Sequence, residues 1–141
     1  MKGSVKLEVI DAKTGRIVSQ EDLGENLLVD NFYIQLSYLV GSSVIDNWVN
    51  RMQFGTGSSA AQATDTTLQM PISPIKAVTV DHPTATTTRF TSYLLETEGN
   101  GFPIGEAALI CGDDTLVARK TFAGQVKSAD YIFAFKWTIS Q

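Results

Sequence analysis

The segment DYIFAFKWTIS, residues 130–140, constrains the fold more than any other stretch. Tyr131, Phe133, Phe135, Trp137 and Ile139 alternate with Ile132, Ala134, Lys136, Thr138 and Ser140. A β-strand sends successive side chains to opposite faces, so the first set shares one face. Those large apolar groups carry well over ~500 Å² of surface at typical aromatic sizes. The pattern predicts a core strand of a sheet or sandwich. The fold class expected is mainly β: an antiparallel β-sandwich with one packing α-helix and a long polar loop.

The remaining elements come from the same periodicity. Val5, Leu7 and Val9 alternate with Ser4, Lys6 and Glu8, which predicts a half-buried strand. DAKTG at 11–15 supplies turn chemistry, and residues 16–20 are placed to return as a second arm. Residues 1–22 therefore read as an N-terminal hairpin, or an attachment arm. A helix is predicted over about 29–41, where Phe32, Leu36 and Leu39 recur at helical spacing with Leu28 and Tyr33 nearby. Asp30 is available to cap its start and Gly41 to stop it. The Phe, Leu and Tyr stripe fits packing against a sheet, with an apolar ligand groove as the alternative. A strand containing Trp48, Met52 and Phe54 is expected to end at Gly55.

Residues 56–67 are small and polar without periodicity, and predict a long surface loop. Pro71 and Pro74 punctuate the next stretch, and KAVTV at 76–80 predicts a short strand. TATTTRFTSYLLETE fits an extended strand, and EGNG at 98–101 a turn. PIGEAALI and TLVARKTF flank CGDD at 111–114 as the arms of a hairpin.

Composition then excludes several function classes. The 141 residues suit one domain with its own core. The formal net charge is −4 and the eleven Lys and Arg are scattered, whereas phosphate affinity comes from grouped cations. No nucleic-acid partner is expected. The single Cys111 excludes an internal disulfide and a zinc cluster of several thiolates. The start MKGSVKLEVIDAKTG lacks the apolar run of a signal peptide, and no apolar patch approaches a membrane span. Synthesis in a cytoplasm and no membrane insertion are the expectations.

No reactive constellation emerges. In GTGSSAAQATDTT no Lys-Ser or Lys-Thr follows the glycines and no apolar helix opens, so both phosphate-binding patterns fail. His82 precedes Pro83 without a nearby acidic or Cys pattern and reads as a turn or surface residue. Cys111 has no basic neighbour in sequence to activate it. Asp113 and Asp114 lack the spacing of a calcium loop and read as a hairpin tip. Glu96 and Glu98 would share one face of a strand, as solvated edge charges or paired carboxylates. No Ser-His-Asp context exists. Catalytic, metal and cofactor residues are all assigned as none, and the chain is not expected to be an enzyme.

The order of motifs is more informative. ENLLVDNFYIQLSYLV, RMQFGTGSSAAQATDTTL, IGEAALI, DDTLVARKTF and YIFAFKWTIS together resemble a family of small bacteriophage tail and virion structural proteins. The matching residues are Asn26, Leu27 and Asn31 at the helix start, then Phe54 to Gly57 and Thr64 to Leu68. Ile104, Glu106 and Leu109 come next, then Thr115 to Arg119 and Trp137 to Ile139. Ala108 stands where the family commonly has glycine. The resemblance spans about residues 25–141 and implies a non-enzymatic virion component, such as a tail, baseplate, neck or fibre-associated part, repeated around a symmetric ring. Its partners would be copies of itself and other virion proteins. Thr56, Gly57, Thr64, Asp65 and Thr66 become a candidate assembly loop, lying across a neighbour or ordering on assembly. Arg119 is expected to be a strand-edge charge paired with a group such as Glu106 on the adjacent strand. The alternatives are capsid decoration, or a carbohydrate- or receptor-binding module using Tyr38, Trp48, Tyr93 and Phe102 towards a host glycan or receptor. An enzyme built around His82 or the carboxylates ranks last.

Overall fold

The computed structural model describes residues 1–41 and 48–140. The chain forms β1 (Lys2–Asp11), β2 (Ile17–Leu28), α1 (Asp30–Gly41), β3 (Val49–Gly55), β4 (Pro71–Ala77), β5 (Thr79–Thr84), β6 (Thr87–Leu94), β7 (Pro103–Cys111), β8 (Leu116–Val126) and β9 (Tyr131–Ser140). The strands join in one antiparallel sheet of order β4-β3-β7-β8-β2-β1-β9-β6-β5. It curls into a half-barrel, which gives the mainly β, sandwich-like architecture expected. The two outer strands, β4 and β5, are consecutive in the chain and separated only by Val78. Ser92 Oγ on β6 donates to Ala77 O on β4 (3.1 Å), so the curl brings the two ends of the sheet together.

β9 is the spine of the core. Phe133, Phe135, Trp137 and Ile139 are buried as their alternation predicts, while Tyr131 at the strand start is partly exposed. β1 runs along it from Lys2↔Ser140 to Asp11↔Tyr131, setting Val5, Leu7 and Val9 beside Trp137, Phe135 and Phe133. On the other side β6 sets Phe90 and Leu94 opposite Trp137 and Phe133. Cross-strand apolar pairs of this kind are the unit of sheet stabilisation. β1 and β2 form an antiparallel hairpin that runs on to Leu28, past the expected end at residue 22. In its turn Asp11 Oδ1 accepts from Lys13 N–H (2.8 Å) and Thr14 N–H (3.0 Å). Those two backbone bonds lower the Asp11 pKa. Gly15 closes the turn at φ 71°. Its first strand is internal to the sheet, paired along its length on both sides.

Four expectations need correction. KAVTV is not one strand: Lys76 and Ala77 end β4, while Thr79 and Val80 open β5. Pro71 and Pro74 lie within β4, an edge strand, where a missing N–H costs no ladder bond. Glu96 and Glu98 do not share a strand, because β6 ends at Leu94 and the chain turns through Gly99 and Gly101 at φ 67° and 83°. Glu98 instead receives Lys76 Nζ (2.8 Å) and Leu95 N–H (2.9 Å). Burial raises its carboxyl, but those donors outweigh it and hold the pKa below the usual value.

The fourth concerns α1. Phe32 and Leu36 are half-buried, but Leu39 is exposed, as are Tyr33, Ile34, Tyr38 and Val40. The helix begins next to β8, where Val29 N–H donates to Val117 O (3.1 Å). Its fully buried side chain is a glutamine, Gln35. The Asp30 carboxylate makes no capping bond among the described residues, although a negative charge in the first turn suits the helix dipole.

Candidate functional site

Among the described residues, the most heavily bonded side chains lie outside the main core, beneath the 56–70 loop. β7 is buried on nearly every residue, so both faces of this strand are covered. Ala107, Leu109 and Cys111 face the main core, while Ala108 and Ile110 face a second apolar cluster with Val29, Leu68 and Leu116. Glu106 shares that second face and is wholly buried. An isolated carboxylate there would be prohibitively costly.

Its partners come from the loop and from β8. Glu106 Oε2 accepts from Gly57 N–H (2.9 Å) and Met70 N–H (2.7 Å). Oε1 accepts from Gln69 N–H (3.0 Å) and from Arg119 Nε (3.2 Å) and Nη2 (3.1 Å). Arg119 lies opposite Ala108 in the ladder, which puts it diagonal to Glu106 on the same face. The expected pairing is therefore present, but in a buried pocket rather than at a strand edge. Arg119 continues outward to Asp65 Oδ2 (2.9 Å) and Ser59 O (3.0 Å). Asp65 in turn accepts from Gln62 N–H (2.8 Å), and Gln69 Oε1 accepts from Ser58 and Ser59 N–H (both 2.9 Å). Asp30 N–H donates to Ala63 O (2.8 Å), tying the loop to α1.

The loop is thus clamped at several points by one buried acid–base pair, with Leu68 as its apolar plug. This answers why glycine stands at 55 and 57. A Cβ on Gly55 would lie 2.5 Å from Met70 O, and one on Gly57 would meet the Glu106 carboxylate and come 2.7 Å from Gln69 Cβ. We expect Gly57→Ala to destabilise the fold by about 1–3 kcal/mol, as overpacking typically does; urea unfolding with an unchanged midpoint would refute the close approach.

Of the candidate assembly residues, Gly57 is buried and Asp65 is half-buried and bonded inward, while Thr64 and Thr66 are exposed. Every bond that the Glu106 carboxylate accepts comes from a loop N–H or from Arg119, so the pair holds the loop against β7. Sequence reasoning missed the contributions of Gln69 and Met70, which act mainly through backbone N–H groups. A signal for Glu106 did exist: one carboxylate inside the apolar run PIGEAALIC demands a buried partner.

The other candidates are dispersed. His82 is an exposed surface residue, on β5 rather than in a turn. Cys111 is buried, and burial followed by the nearby Asp113 charge pushes its thiol up to about 12, against a smaller opposing effect of Arg51. Its stabilising effect is complete below pH 9 and is lost as pH rises towards 12. We expect native Cys111 to resist an aromatic disulfide reagent at pH 8 and to react fully only in denaturant; rapid native labelling would contradict the burial. Asp114 pairs with Arg51 (2.7 Å), and Asp113 accepts from Gln35 Nε2 (2.8 Å) and Thr115 N–H (3.1 Å). These are hairpin-tip contacts, as anticipated. Among the described residues, no group of three or more His, Cys, Asp or Glu is placed to hold a metal ion. No helix of the described residues is long and apolar enough to cross a membrane.

Tyr38, Trp48, Tyr93 and Phe102 are all exposed. They sit on α1, before β3, on β6 and in the β6–β7 connection, and none belongs to an aromatic pair among the described residues. A cleft of about 430 Å³ lies between α1 and the β5–β6 hairpin and includes Trp48 alone of the four. No protein-family model, curated protein or solved structure matches this chain.

Proposed function

We propose that this protein is a non-enzymatic structural component of a bacteriophage virion, a tail, baseplate, neck or fibre-associated part that assembles into a symmetric ring. One observation carries the reading. Five of the residues that carry the resemblance, Gly57, Asp65, Leu68, Glu106 and Arg119, are far apart in sequence yet meet in or beside one clamp. A motif set that builds a fixed surface loop, rather than a reactive centre, suits a part whose task is to present a shape to neighbours. Exposed Tyr33, Ile34, Tyr38, Leu39 and Val40 on α1 and Ile17 and Val18 on β2 add apolar surface of the kind that subunit contacts cover. The sites of assembly are the host bacterial cytoplasm and then the virion.

Deleting the loop would orphan Glu106 and Arg119, so surface substitutions are the appropriate probe. We expect Thr64→Arg with Thr66→Arg to leave the melting temperature within a few degrees and to abolish incorporation into particles, read by sedimentation of reconstituted virions. Light scattering of the wild-type protein should give a ring-sized mass, alone or with virion proteins added. A strict monomer that ignores virion proteins, together with binding on a glycan array, would replace this reading with the carbohydrate-binding one.

A further inference from the structure

The clamp leaves the opposite, concave side of the sheet only partly closed. There the cleft of about 430 Å³ opens between Phe32, Leu36 and Leu39 of α1 and Val80, Thr88 and Phe90 of the β5–β6 hairpin, with Val117 and Ile139 also lining it. This volume falls within the ~300–1,000 Å³ range of small-molecule sites, which favour the mouths of β-barrels. No Lys or Arg lines it, and the lining groups that can carry a positive charge, His82 and the chain start at Met1, lie at exposed positions.

The lining is mainly apolar, with His82, Thr86 and Thr88 towards the β5–β6 hairpin and Gln35 on α1 as its polar side chains; of these, Gln35 alone is buried. Gln35 is 7% exposed, and its Nε2 donates to Asp113 Oδ2 at 2.8 Å. Burial raises the Asp113 carboxyl, but the bonds from Gln35 and Thr115 outweigh that and lower its pKa, so it is a carboxylate at neutral pH. A carboxylate only accepts, which fixes the amide: Nε2 must face Asp113 and Oε1 must face away. Gln35 Oε1 is buried and has no hydrogen-bond partner among the described residues. A buried carbonyl left unpaired loses its hydration without replacement. The burial, the locked orientation and the missing donor all point to an occupant that brings a donor of its own.

We propose that this cleft binds a small neutral amphipathic molecule, with an apolar body between α1 and the β5–β6 hairpin and one hydroxyl or N–H group donating to Gln35 Oε1. Phe32, Leu36, Val80 and Phe90 hold the body by burial, and Gln35 selects the donor-bearing end. The assignment is independent of the virion reading, because it stands on the interior of one chain.

The test is a titration of the full-length protein with para-butylphenol and its methyl ether para-butylanisole, monitored by methyl chemical shifts. The two probes share an apolar body, but only the phenol donates. The expected result is one saturable site, shifts confined to residues such as Leu36, Val80 and Ile139, and binding of the phenol about tenfold tighter, as one hydrogen bond is worth roughly a factor of ten. Gln35→Leu should bring the two affinities together. Val80→Trp, from the facing wall, should abolish binding of both without changing the fold as read by circular dichroism. Absence of saturable shifts up to the probes' solubility, or equal affinities for phenol and ether in the wild type, would overturn the proposal. So would a preference that survives Gln35→Leu.

Discussion

Arg119→Met is expected to lower the unfolding free energy by about 3–5 kcal/mol, because it strands a buried carboxylate without its counter-charge. Both side chains are almost wholly buried, at 3% and 0% exposure, so solvent does little to screen the loss. Glu106→Gln should cost nearly as much despite matching the shape. Oε2 faces two backbone N–H groups, and Oε1 faces one N–H and the guanidinium. Whichever way the new amide turns, its NH₂ meets donors. Removing both charges with Arg119→Met and Glu106→Leu should not restore stability, since the N–H groups of Gly57, Gln69 and Met70 stay unpaired. Urea unfolding measures the energies, and hydrogen exchange locates them. Amides of residues 57–70 should lose protection in each variant while β9 keeps its own. If loop protection is unchanged in Arg119→Met, the clamp does not hold the loop.

The second large effect lies in the spine. Phe135→Ala should destabilise by about 3–5 kcal/mol, a fall in melting temperature on the order of 10 °C for a chain of this size. Phe135 is fully buried, and its ring lies 4.6 Å from Phe54, 6.0 Å from Phe122 and 6.4 Å from Phe133 between centroids. Those rings belong to β3, β8 and β9, so the cavity would open where the curled sheet closes on itself. Tyr131→Ala, at the exposed end of the same face, should cost under about 1 kcal/mol. Equal losses for the two variants in thermal unfolding would show that the alternation had been assigned to the wrong face.

Much of the candidate site was legible because local chemistry restricted it. Two glycines followed by small polar residues could only leave the strand, and Glu106 inside an apolar run had to find a buried partner. Arg119 was reachable from hairpin register alone, since the turn at 111–115 aligns β7 with β8. What the strand pattern lacked was depth. It tells which residues share a face but not whether a loop covers that face, so an expected edge charge became the centre of a buried network. The same gap explains α1. Its helical spacing was correct, yet spacing does not reveal how far a helix stands from its sheet, and the cleft and Gln35 lie in that space. Glu96 and Glu98 were misplaced because extended residues and a wide turn share composition until Gly99 and Gly101 take positive φ.

By itself the sequence determined β1, β7, β8 and β9, the helix α1, the alternating faces of β1 and β9 and the hairpins around Asp11–Gly15 and Cys111–Thr115. These depend on side-chain period and turn residues, which act over a few neighbours. The tertiary structure decided the sheet order, the internal position of β1, the meeting of β4 with β5 through Val78, and the convergence of Gly57, Asp65, Glu106 and Arg119. Those pairings join residues tens of positions apart. They are selected by which buried surfaces and unpaired polar groups satisfy one another once the whole sheet has curled.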